Sequence, residues 1–230
     1  MSEDETRFPV RILVATFLPH LSVSFALGSI GPLAPFIQEA FHITRAQIGI
    51  LTSFHSIGWI VMALVAGSLV ERTGTRPWLL LSPLISGICA LLFSMITTFS
   101  QGIVIFLFMG LIFSFINPAT TKAIILSFSR VRRGTAIAIK QTGGTAGVFL
   151  ASISLPAIAV SAGWGRGMLL VAAVNVVLGI SAWTIYGNRG GGQQEAENGT
   201  ANTGSFKRSL GRLLHNSDFL LISFLQGIFN

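Results

Sequence analysis

Apolar residues run along this chain in long, almost unbroken stretches, and the polar residues between them come in short clusters. The stretches cover residues 10–37, 48–70, 78–98, 103–128, 135–160 and 168–186, with a further run over 219–230. A membrane-spanning helix needs about 20 predominantly apolar residues, so each of the first six can cross a bilayer. Strands of a membrane barrel would be shorter and would alternate apolar with polar positions. The pattern therefore predicts an all-α integral membrane protein with six transmembrane helices in residues 10–186. The last run is too short to span and reads as the start of a truncated seventh helix, 218–230.

Composition narrows the classes further. Of 230 residues, 51% are hydrophobic and only 10% charged, against about 25% charged in an ordinary globular domain. Too few charges remain to coat a soluble enzyme of this size. The single cysteine, Cys89, excludes a disulfide framework. Residues 1–9 are acidic near the start (Glu3, Asp4, Glu5), unlike the basic beginning of a signal peptide.

The net charge of +7 does not point to nucleic acid, because the basic residues lie in loops between apolar runs. With the N-terminus in the cytoplasm, the inside segments hold Arg7, Arg11, Arg72, Arg76, Arg130, Arg132, Arg133, Arg189, Lys207, Arg208 and Arg212. The outside segments hold only Arg45 and Arg166. That bias predicts a multi-pass protein of the plasma (inner) membrane with a cytoplasmic N-terminus. Residues 187–217 read as a cytoplasmic linker. Its second part, 206–214, sets Phe206, Leu210, Leu213 and Leu214 against Lys207, Arg208 and Arg212, as suits a basic helix lying on anionic lipid.

Chemistry concentrates in one turn and a few intramembrane polar residues. Between the second and third spans stand Gly67, Glu71, Arg72, Gly74 and Arg76. Gly67 permits close helix approach, Gly74 a tight turn, and Glu71 with Arg72 an acid–base pair, which together make a charged hinge able to latch and release. Ionisable residues inside spans are expensive and mark function by default. Lys122 and Lys140 lie about two turns into the fourth and fifth spans from the same side. They make either a positive zone for an anionic substrate or two long side chains that snorkel to the interface. His20 shares a face with Thr16, Ser24, Gly28 and Gly31, and either meets substrate, relays protons or bridges helices structurally. His55, near Trp59, reads as structural. No Asp or Glu falls within the six spans. There is no nucleotide-binding loop, no metal-ligand spacing and no catalytic constellation, so neither an enzyme nor a cofactor is expected.

The spacing G-x-x-x-E-R-x-G-x-R over residues 67–76 resembles the loop motif of the major facilitator superfamily, with Glu71 in place of the usual Asp. Asn117-Pro118-Ala119-Thr120, the turn at 132–134, Lys140-Gln141-Thr142-Gly143-Gly144, Leu155-Pro156 and Gly163-Trp164-Gly165-Arg166 are similar to bacterial members. The resemblance implies the N-terminal six-helix half of a transporter, built as a 3+3 repeat, plus the beginning of helix seven. It implies that residues 67–76 gate the conformational change, and that His20, Asn117, Lys122, Lys140 and Gln141 border the substrate cavity. It also implies alternating access for a small solute, an organic anion being favoured by the lysines. The partners would be that small molecule, the lipid bilayer, and a missing C-terminal half or a second chain. The other reading is a truncated, non-transporting fragment, or a membrane receptor or scaffold derived from a transporter. Two family features are missing. Phe106 stands where many members carry an Arg, and the fifth span has no Gly-Pro pair.

Overall fold

A computed structural model of the chain describes residues 9–187. Eight helices follow one another: α1 (Val10–Leu27), α2 (Ile30–Phe41), α3 (Arg45–Thr73), α4 (Arg76–Phe93), α5 (Phe99–Phe113), α6 (Ile116–Ser127), α7 (Arg130–Ala162) and α8 (Trp164–Tyr186). They make six membrane spans, because α1 with α2, and α5 with α6, each form one interrupted crossing. The linker with its basic helix and the seventh helix lie outside the described residues.

The interruptions are absent from the apolar pattern, and proline explains where they fall. A proline has no N–H, and its ring clashes with the carbonyl four residues earlier. Four residues before Pro32 is Gly28, and four before Pro118 is Ser114, the residues at which α1 and α5 stop. At each break a serine hydroxyl donates to the preceding turn, Ser29 to Ala26 O and Ser114 to Leu111 O, both at 2.7 Å. Such side-chain bonds compensate for a broken ladder where no water is present. Pro19, Pro83 and Pro156 lie in helices that continue through them.

Several helices outrun their apolar stretches. α3 begins at Arg45 because Thr44 caps it: Thr44 Oγ1 accepts from the Gln47 N–H at 3.3 Å, and Gln47 Oε1 from the Thr44 N–H at 2.8 Å. α7 begins at Arg130, so residues 130–134, expected as a break, are helical. α4 instead ends at Phe93, five residues before the expected end of its span.

The packing has the symmetry of two three-span repeats. α7 packs most closely on α1, α5 on α3, and α8 on α4. Exchanging spans one to three with four to six carries the first pair onto the second and the third onto itself. The repeated breaks before Gly31-Pro32 and Asn117-Pro118 obey the same exchange. Absent side chains let these pairs approach. A Cβ on Gly147 of α7 would stand 2.3 Å from Leu21 O of α1, and one on Gly110 of α5 would stand 1.9 Å from His55 O of α3. The largest buried cluster, with Phe25, Leu33, Phe93, Phe106 and Met168, fills the end of the bundle away from the arginine-rich turns.

Candidate functional site

The buried face of α7 runs through Ala136, Lys140, Gly143, Gly147 and Ala151. Four of these are small, and one is a lysine only 1% exposed. Its ammonium donates to Asn117 Oδ1 at 3.2 Å, in the first turn of α6 just past the break. The described residues contain two acids, Glu39 and Glu71, and both are exposed at helix ends. Lys140 thus has an amide for a partner and no carboxylate. Even after relaxation, a charge out of water costs several kcal/mol. A neutral acceptor does not offset that, whereas an incoming anion would.

His20 on α1 completes the cluster. It is 3% exposed, and its Nδ1 is buried with no hydrogen-bond partner among the described residues. The ring lies over Gly144, one turn from Lys140: a Cβ there would be 2.9 Å from His20 Cδ2 and Nε2, and 3.4 Å from Ser24 Oγ. Thr16, on the same face, spends its hydroxyl on Ile12 O and Leu13 O, both at 3.0 Å. Lys140, Asn117, His20 and Ser24 therefore converge where α1, α6 and α7 meet.

Two other residues expected at the cavity do not join this cluster. Gln141 is exposed on α7, beside the face that meets α1. Lys122 donates to Val70 O and Glu71 O, both at 3.2 Å, so it joins the α3–α4 loop and not the lysine–histidine cluster. There Gly74 (φ 83°, ψ 174°) ends α3, and its N–H bonds to Val70 O at 3.1 Å. A side chain would be strained at that φ. Trp78 Nε1 donates to Thr73 Oγ1 at 2.7 Å, and the Trp78 ring stacks on Phe115 at 3.9 Å with 5° between planes. Thr75 and Tyr186 share a hydrogen bond of 2.9 Å, and the Arg76 guanidinium lies 4.9 Å from the centre of the Trp183 ring. Glu71 and Arg72 are exposed, and nothing among the described residues lies within 4 Å of a Cβ built on Gly67.

Sequence reasoning did not single out Gly144 for its contact with His20, nor the Trp78–Phe115 stack. Trp78 reads in sequence as an interfacial aromatic at a span end, and Phe115 as one apolar residue among many. Among the described residues, no three His, Cys, Asp or Glu side chains come together as a metal ion would need. A groove of about 580 Å³ between α1, α7 and α8 is lined by apolar residues and Ser154, whose hydroxyl bonds to Leu150 O at 2.7 Å. It lacks the polar groups of the Lys140 cluster.

The family described as Major Facilitator Superfamily matches residues 16–230. The uncharacterized transporter YybO of Bacillus subtilis is 25% identical over 182 residues, which are 76% of this chain and 39% of that protein. The membrane sensor protein UhpC of Escherichia coli is 25% identical over 169 residues, 74% and 38% of the two chains. A probable L-galactonate transporter of Escherichia coli is 28% identical over 154 residues, 66% and 34%. This chain thus spans less than two-fifths of the length of these relatives. A bacterial homolog of the human lysosomal transporter Spinster, solved inward-facing and unoccupied, superposes with a TM-score of 0.65. It is 19% identical, over 78% of this chain and 43% of its own.

Proposed function

This chain belongs to the major facilitator superfamily, and from that membership we propose that it forms one six-helix half of a secondary transporter for a small organic anion. Transport of a small solute is the activity that its relatives support, since two of the three bear transporter names. The observation that carries the anion is Lys140, a buried ammonium held among the described residues by an amide alone. The galactonate of one relative's name is a carboxylate, in keeping with that charge. Asn117 and Ser24 would take hydroxyl groups of the substrate, and His20 Nδ1 would gain a partner.

Alternating access needs a second half for this bundle to rock against. α3 and α7 are the least buried spans, with 17% and 22% of their apolar stretches buried against 33–50% for the others. Their exposed faces carry Thr52, Ser53 and Ser56, and Gln141, Thr145 and Ser152. An exposed amide such as Gln141 is costly against lipid, so these faces suit another bundle or a water-lined cavity. The arginine-rich ends would lie in the cytoplasm, and the α3–α4 loop there would hold one of the two facing states.

Uptake of galactonate into membrane vesicles carrying the protein tests this reading. A hydrogen bond to a charged group contributes about 1.5–3 kcal/mol. Lys140→Ala should therefore lower uptake roughly ten- to hundredfold. Unchanged uptake would remove Lys140 from the substrate site. The sensor among the relatives supports a second reading, in which the protein binds the anion and signals without moving it. Saturable binding with no uptake would favour that.

A further inference from the structure

We infer that the half-helix α6 links the anion site to the α3–α4 loop, with Lys122 as the residue that positions the loop. This rests on reading Lys140 as the anion's contact.

α6 has 12 residues and is set off from α5 by a two-residue turn at Ser114–Phe115, where both residues keep right-handed helical dihedrals. Its first turn supplies Asn117 to the Lys140 ammonium at 3.2 Å. Five residues on, about 7.5 Å along the axis, Lys122 reaches across to the last turn of α3. The carbonyls it meets, those of Val70 and Glu71, lie in the last turn of the helix, the end where a positive charge is favoured, and Val70 O also accepts from the Gly74 N–H. One short element thus contacts the buried ammonium from its first turn and the last turn of α3 from its middle. The far side of the loop is fastened to the same hinge, because Trp78 stacks on Phe115 at the break itself.

The consequence is mechanical. An anion that draws the Lys140 ammonium toward itself weakens its bond to Asn117 and frees the first turn of α6 to shift about Ser114–Phe115. Packed helices move as units, so the shift carries Lys122 and the carbonyls it holds. Coupling is reciprocal, and a change in the loop alters anion affinity in turn. A lysine that merely stabilised the end of α3 would make the loop firmer, but it would not make the loop respond to ligand.

Hydrogen exchange over residues 67–78 of the full chain, with and without saturating galactonate, distinguishes the two. In the wild type, the anion should change exchange rates there at least threefold. Lys122→Met keeps the aliphatic stem and loses the donor. It should bind galactonate within about threefold of the wild-type Kd yet lose the loop response, and Lys122→Arg should restore it. A wild-type loop indifferent to bound galactonate would overturn the inference whether or not the variant folds. A response retained in Lys122→Met would overturn it as well. If galactonate and other small carboxylates do not bind at all, the anion reading fails first and takes this inference with it.

Discussion

Lys140 and Lys122 look alike in sequence and differ in the fold for a reason a single helix cannot reveal. The burial of Lys140 is legible, because it lies on a face with Gly144, Gly147 and Ala151, where another helix can approach closely. The fate of Lys122 is not, since its acceptors lie more than fifty residues away, on α3. His20 falls between these cases. Its face with Thr16 and Ser24 is visible in the sequence, whereas the glycine that makes room for its ring is on α7. Gly144→Ala would bring a methyl to 2.9 Å from the His20 ring and force it to move. Overpacking of this kind costs about 1–3 kcal/mol. The expected outcome, read by calorimetric titration with galactonate, is several-fold weaker binding by a bundle that remains folded.

At the scale of elements, the positions of the spans follow from hydropathy, while their interruptions do not. A sliding apolar window passes over Gly28-Ser29 and Ser114-Phe115, since neither pair is charged. The prolines are visible too, but only Pro32 and Pro118 of those within the spans coincide with a break. Which helices pair is decided by glycines that admit a neighbouring backbone. Gly110→Ala would push a methyl onto the His55 carbonyl of α3, and should cost about 1–3 kcal/mol or more. Gly134→Ala, helical and with nothing within 4 Å, should be neutral or stabilise by up to about 1 kcal/mol. Thermal unfolding in detergent reads both. Equal melting temperatures for the two variants would argue against the α3–α5 contact.

For the whole molecule, the loop motif and the six apolar runs made the family legible, and the charge bias predicts how the bundle sits in its membrane. The only cysteine is buried, so the protein provides a quiet background for single-cysteine labelling. Arg166→Cys should react in intact cells with a membrane-impermeant maleimide, and Ser129→Cys only after lysis. The reverse result would invert the proposed orientation. Neither the exposed faces of α3 and α7 nor the unbalanced Lys140 charge is fully accounted for by this bundle alone, and the functional reading assigns them to a second half and a substrate.

The claim on which that reading turns is that the buried ammonium exists to meet an anion. Titration of the purified chain with galactonate, alongside neutral galactose as a control, tests it most directly. The account predicts saturable binding of the acid, little of the neutral sugar, and a loss of roughly ten- to hundredfold in Lys140→Ala. Equal binding of acid and neutral sugar, or a Lys140→Ala variant that binds galactonate as the wild type does, would contradict it.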